Sequence, residues 1–226
     1  MRSTIALLSV FFFIITVLQG SIFPVSQAIA QEGAESIQLL EPDFERGTLL
    51  MHALKERKST RAFSQKELPL DLLSNLLWAA SGINRPESDL LTAPTAVNWQ
   101  EIDIYVAMEK GLYLYNRKEN VLELIMAKDI RAAVGIQDFT QIAPVNLIYV
   151  TDYAKISGQF GVGQEEKIFY SATDTGFISQ NVYLFCASEG LATVVLGWID
   201  KPVLKEIMKL REEQEIILAQ PVGYPE

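Results

Sequence analysis

Hydrophobic and polar positions along the chain fall into two periods. Leu70, Leu73, Leu76, Leu77 and Ala80 recur at three- and four-residue steps behind Pro69, which predicts a helix with Gly82 near its end. Glu45 to Lys58 predicts another helix before it. Ile102, Ile104 and Val106 alternate with Glu101, Asp103 and Tyr105, and Leu112 and Leu114 alternate with Tyr113 and Tyr115. A two-residue period predicts half-buried strands. Val121, Leu122, Leu124 and Ile125 surround Glu123, a run that fits either a further strand or the start of a helix.

Lys128 to Val134 predicts a short helix, Pro144 to Val150 a nearly all-apolar strand, and Gly158 to Gly163 a loop with three glycines. From Glu165 to Glu189, the residues Ile168, Ala172, Phe177, Ile178, Val182, Phe185 and Cys186 put apolar groups on more than one face of a long helix that stops at Gly190. A helix apolar on several faces belongs in the centre of a fold. Leu191 to Leu196 predicts a strand, Pro202 to Leu210 a helix and Glu215 to Gly223 a last strand. The meander in the middle argues against a regular doubly wound sheet. The expected class is α+β, with helices packed on a mainly antiparallel sheet.

The first thirty residues follow another plan. Met1 and Arg2 make a basic head, Ile5 to Leu18 is uncharged and largely apolar, and Ala28-Ile29-Ala30 offers small residues before Gln31. This order predicts a secretory signal peptide over residues 1–30, a flexible leader over 31–43 and one domain over 44–226. The expected location is therefore outside the cytoplasm, periplasmic or secreted, with an uncleaved N-terminal anchor as the alternative.

Composition narrows the chemistry. The chain has 226 residues, 49% hydrophobic and 21% charged, and a net charge of -9. That field repels polyanions, so nucleic acid is not an expected partner. The single Cys186 excludes an intramolecular disulfide, and the single His52 excludes a multi-histidine metal site. Cys186 on an apolar helix reads as a small buried hydrophobe, and His52 as a surface or packing residue. No side chain is assigned a catalytic role and no metal is expected.

Three segments are candidates for binding. Arg57-Lys58-Ser59-Thr60-Arg61 concentrates cations and hydroxyls in an otherwise acidic chain, which suits a phosphate and equally a solvated helix end. Pro94-Thr95-Ala96-Val97-Asn98-Trp99-Gln100 offers small residues and amides to a flat heterocycle, or a plain turn with amide caps. Leu196-Gly197-Trp198 ends a strand where glycine permits close approach, or simply terminates it.

Taken in order, Arg57 to Phe63, Pro94 to Gln100, Gly190-Leu191 with Gly197, and Gln220 to Tyr224 resemble the FMN-dependent nitroreductase family, nearest to its SagB-type oxidoreductase branch. The resemblance runs from about Lys55 to Pro225. It implies an intertwined homodimer with each flavin at the subunit interface, and an FMN oxidoreductase acting on a small-molecule acceptor. Arg57, Lys58, Ser59 and Arg61 match flavin contacts near the phosphate and near the ring edge distal to the dimethylbenzene. Pro94, Thr95 and Ala96 match the loop beside the ring, and Asn98 and Gln100 the amides that address the ring or ribityl chain. Leu196, Gly197 and Trp198 match the segment whose backbone lies by flavin N5. Two departures stand out: no Glu accompanies the Gly197 segment, and Val222-Gly223-Tyr224 is not followed by the basic pair that many members carry. NAD(P)H is the usual donor in that family and a candidate here, but export would put it out of reach and leave another reductant or a redox partner protein in its place. A non-catalytic flavin carrier or sensor is the alternative function. Trp198 and Phe160 are candidates for shaping a substrate cleft.

Overall fold

The computed structural model describes residues 35–156 and 162–226. The expected signal peptide and most of the Gly158–Gly163 loop, with Phe160, lie outside the described residues.

In chain order the elements are β1 (Ile37–Gln38), α1 (Leu50–Glu56), α2 (Leu70–Ser81), β2 (Ile83–Arg85), β3 (Leu90–Leu91), β4 (Ile102–Met108), β5 (Gly111–Asn116), β6 (Val121–Met126), α3 (Phe139–Ile142), β7 (Val145–Asp152), α4 (Gln164–Glu189), β8 (Ala192–Thr193), α5 (Lys201–Met208) and β9 (Gln214–Gly223). Seven strands form one sheet in the order β1-β6-β5-β4-β7-β9-β8, with every pairing antiparallel. β2 and β3 make a separate hairpin.

Alternation along the strands divides the interior into two faces. Ile102, Ile104 and Val106 of β4 pack with Leu76 and Leu77 of α2 and with Ile178, Val182 and Cys186 of α4. Tyr105 and Ala107 point the other way, onto Ile199 and onto Leu204 and Met208 of α5. Both faces are therefore covered, and Tyr105 is buried rather than half-exposed. The antiparallel sheet between helical layers is the α+β arrangement that the periodicity predicts.

α4 is the central element. Glu165 and Glu166 sit in its first turn, where the helix dipole favours acids. Gly190 ends it at φ 68, and the Leu191 N–H closes on the Cys186 carbonyl at 2.8 Å. Buried polar ties hold it to the sheet: Ser171 and Thr151 share a hydroxyl bond of 2.9 Å, and the Ser179 carbonyl accepts from Gln220.

Several expectations need correction. The first helix starts at Leu50, not Glu45, because Gly47 turns at φ 89 and a Cβ there would meet Ser188 Oγ at 2.4 Å. It also stops before Arg57, whose backbone is extended (φ -55, ψ 120). Val121 to Met126 is a strand, which resolves the open alternative. The Lys128–Val134 helix reduces to one 3-10 turn, Arg131–Ala133. Of the Leu191–Leu196 strand, β8 keeps two residues, with an isolated bridge from Leu196 to Ala219 beyond it. Part of the stretch expected as a leader is built into the fold, since β1 pairs with β6 and Leu39 is buried.

Candidate functional site

The extended backbone after α1 carries the basic cluster across the sheet's β8 edge. The Thr60 N–H donates to the Thr193 carbonyl at 2.9 Å, Phe63 bridges Pro225, and the Ser64 N–H donates to the Tyr224 carbonyl at 2.9 Å. Tyr183 of α4 joins this segment to the next. Its ring lies under the Arg57 guanidinium at 5.3 Å, and its hydroxyl meets Ser59 Oγ at 2.9 Å while accepting the Val195 N–H at 2.9 Å. A cation over an aromatic face and two hydroxyl bonds fix Arg57 and Ser59 beside Val195, two residues past the end of β8. Sequence reading missed Tyr183. The sequence marks it weakly, since Tyr183 is one of two tyrosines on this helix, with Tyr170.

Among the described residues, none of Arg57, Lys58 and Arg61 forms an ion pair. Lys58 and Arg61 are exposed, and Lys58 lines a cavity of about 290 Å³ with Thr60, Tyr183, Gly190, Thr193 and Pro225. Exposed cations with no carboxylate partner among the described residues, in an acidic protein, are the charge pattern that a phosphate requires.

The Leu196–Trp198 segment divides its duties. Leu196 is buried, and both of its main-chain groups bond Ala219, at 2.7 and 3.0 Å, so it is structural and has no donor to spare. Gly197 and Trp198 are exposed, and among the described residues their N–H groups make no hydrogen bond. A Cβ on Gly197 would meet only Leu218 Cδ2 at 3.7 Å, an ordinary contact, so packing within the chain does not require glycine there. Two adjacent free donors beside the basic cluster fit a group that approaches from outside. Trp198, two-thirds exposed, stands next to them.

The Pro94–Gln100 loop lies elsewhere on α4. The Ala96 N–H donates to Asp174 Oδ2 at 2.7 Å. Asp174 precedes Tyr183 by nine residues, or about 13.5 Å along the helix axis. One chain thus joins the basic cluster to Gly197–Trp198 and holds the loop apart from both. Within the loop, Gln100 Nε2 donates to the Asp89 carbonyl at 2.8 Å and to Asn98 Oδ1 at 3.1 Å, and the Gln100 N–H donates to Thr95 Oγ1 at 3.2 Å. The Gln100 amide nitrogen is therefore engaged internally, while Pro94 and Asn98 remain exposed. Cys186 is buried and its thiol is pushed up by desolvation, so it has no nucleophilic character; His52 is exposed on α1.

Residues 54–224 match the nitroreductase family model, which covers every strand of the sheet except β1, together with α4 and all three segments. The chain belongs to the nitroreductase family. Family members are generally FMN-dependent oxidoreductases. A Methanocaldococcus jannaschii protein provisionally named a nitroreductase, MJ1384, is 29% identical over 199 residues, 84% of this chain and 97% of its own. A crystal structure of a provisionally named nitroreductase from Ralstonia eutropha JMP134 is 41% identical, with a TM-score of 0.80 over 85% of this chain and 90% of that one. The NADPH:FMN oxidoreductase of Vibrio harveyi, crystallised with NAD+, shares the fold at 19% identity and a TM-score of 0.59, over 78% of this chain and 69% of its own.

For a nitroreductase the residues at the sheet edge suit FMN. Arg57, Lys58, Ser59 and Arg61 offer the cations and the hydroxyl that a flavin phosphate requires, and Gly197 and Trp198 offer free main-chain donors of the kind a flavin ring can take. Sequence reading also missed an acid pair under the loop, Glu101 and Asp174. Glu101 was expected on the solvent side of an alternating strand, yet it has no exposed surface. Gln100, at φ 51, turns the chain just before β4, so the strand's alternation does not extend back to Glu101.

Proposed function

We propose that this nitroreductase is an exported FMN oxidoreductase that acts as a homodimer. The observation that carries the reading is the Arg57–Arg61 cluster, without an ion pair among the described residues, whose Arg57 and Ser59 are held by Tyr183 beside Val195, two residues before the free Gly197 donor. Bound FMN supplies the two-electron chemistry, accepting and passing on hydride at its ring. Arg57, Lys58, Ser59 and Arg61 bind its phosphate-bearing tail. Charge on Lys58 and Arg61 favours an electron-rich ring nearby, and the Gly197 and Trp198 N–H groups stabilise negative charge developing there.

The loop's distance from the cluster within one chain supports a dimer, because Pro94, Thr95, Ala96 and Asn98 of one copy can complete the site of another. Apolar exposure supports it too. Leu50, Met51 and Leu54 of α1 and Ile168, Phe169 and Phe177 of α4 are exposed on two helices that pack together. A monomer rarely leaves so much apolar surface in water.

The N-terminal basic head and apolar stretch support export. An exported enzyme draws electrons from a redox partner protein rather than from NAD(P)H, and its acceptor is a small molecule. Within the family, the SagB-type branch is the finer placement, and oxidation of a peptide azoline in the presence of a cyclase tests it.

A visible spectrum of the full chain, supplemented with FMN and desalted, tests the function. Flavin bands that bleach with a chemical reductant and return with an acceptor are expected. Bands that bleach but are not restored by any acceptor would favour a flavin carrier or sensor instead.

A further inference from the structure

Under the Pro94–Gln100 loop lies a buried acid pair that the proposed function leaves unused. Glu101 is fully buried and Asp174 is 2% exposed. Asp174 Oδ2 accepts the Ala96 N–H at 2.7 Å. The Glu101 carboxyl faces the Asp174 carboxyl and the Ser171 hydroxyl, yet among the described residues neither of its oxygens completes a hydrogen bond. Counting protons accounts for both facts. Two ionised carboxylates are acceptors only, and a bond between them requires one proton.

Among the described residues, no cation neutralises the pair by contact. Ser171 faces the pair from α4 and the Ala96 N–H from the loop. At longer range, the Arg117 guanidinium beyond β5 and the Tyr153 hydroxyl beyond β7 feel the Glu101 charge. Arg117 donates to Ser81 Oγ at 2.9 Å and to the Ile102 carbonyl, and among the described residues it forms no ion pair. Desolvation, reinforced by the Asp174 charge, pushes the Glu101 carboxyl up to about 7. Burial raises Asp174 as well.

The loop above needs an anchor. Val97, Asn98 and Gln100 have φ of 50, 56 and 51, left-handed values that non-glycine residues adopt at a cost. Surrounding bonds must over-determine such a conformation, and the Asp174 bond is the one that reaches it from the core.

We propose that Asp174 and Glu101 are positioning residues that hold the Pro94–Gln100 loop by sharing one proton, so that losing the proton loosens the loop and weakens flavin binding. The last clause rests on the FMN reading; the grip on the loop does not. No bond other than those to this proton is made or broken, and the proton leaves to solvent as base takes it up.

The test uses the full chain and two amide variants, Glu101→Gln and Asp174→Asn. Each amide keeps the shape and replaces the shared proton with a fixed N–H donor, and Asp174→Asn retains a side-chain oxygen for the Ala96 N–H. Asp174→Ala removes that acceptor. Two quantities are followed from about pH 5 to about pH 8: Tm without flavin, and Kd for FMN. In the wild type, Tm is expected to fall and Kd to rise several-fold across the range. Both curves flatten in the amide variants, and Asp174→Ala binds weakly at every pH. Wild-type and amide-variant Tm curves of equal slope would overturn the proposal, and should one amide variant fail to fold, the other decides. A Tm slope that vanishes in the amide variants, with no FMN binding by the wild type at any pH, would uphold the pair and refute the flavin reading.

Discussion

Arg57 and Arg61 carry the binding claim at the scale of single residues. A charged hydrogen bond is worth roughly 1.5 to 3 kcal/mol, so Arg57→Ala with Arg61→Ala is expected to weaken FMN binding by about 3 to 6 kcal/mol. Fluorescence titration of FMN measures it, and an unchanged Kd would remove the cluster from the site. Tyr183 works through its neighbours. Tyr183→Phe leaves the ring under Arg57 but strips the partner from Ser59 and from the Val195 N–H, and is expected to cost about 1 to 3 kcal/mol of stability, read as a lower Tm. Glu101 sets a pH dependence whose sign follows from its raised carboxyl. The folded state holds the proton more tightly than the unfolded chain, so this contribution is complete below about 4.5 and is lost as pH rises through about 7. The loss is on the order of 3 kcal/mol, and urea unfolding at the two ends of that window measures it.

Among the elements, α4 does two jobs with one face. Ser171, Asp174, Thr175, Ile178, Ser179, Val182 and Cys186 form its buried stripe, polar at the loop end and apolar toward Cys186. The apolar half of that stripe was legible in the sequence, as were α2, β4, β5, β7, α5 and β9, because each runs long enough for its period to show. The β2–β3 hairpin was not legible, since strands of three and two residues have no period. β8 was overextended for a related reason: the residues after Thr193 are apolar because they fill a small cluster with Phe63 and Ala143, not because a neighbouring strand continues beside them. The candidate segments themselves were legible as residue types in order. Their grouping was not, since it depends on Tyr183 and Asp174 being nine positions apart on one helix. The strained loop offers a test at this scale. Val97 is exposed and β-branched at φ 50, so Val97→Gly is expected to relieve strain and to raise stability by on the order of 1 kcal/mol, without altering α4. A drop in Tm would mean that the Val97 side chain contributes more than its backbone costs.

At the scale of the whole molecule, the proposed site needs two copies of the chain. The exposed side chains of α1 and α4 are expected to be covered in solution, and light scattering should give twice the chain's 25.3 kDa before any signal-peptide processing. Phe169→Asp with Leu50→Asp places charges on both helices, and is expected to give a monomer that loses FMN although every cluster residue is intact. A monomeric variant that keeps its flavin would show that one chain makes a whole site. A crystal structure of the protein grown with excess FMN tests the central claim most directly. The phosphate is predicted against Arg57, Ser59 and Arg61, the ring beside the Gly197 and Trp198 N–H groups, and the Pro94–Gln100 loop arriving from the second copy. A flavin bound elsewhere, with the Arg57–Arg61 cluster facing bulk solvent away from the two-fold axis, would contradict it.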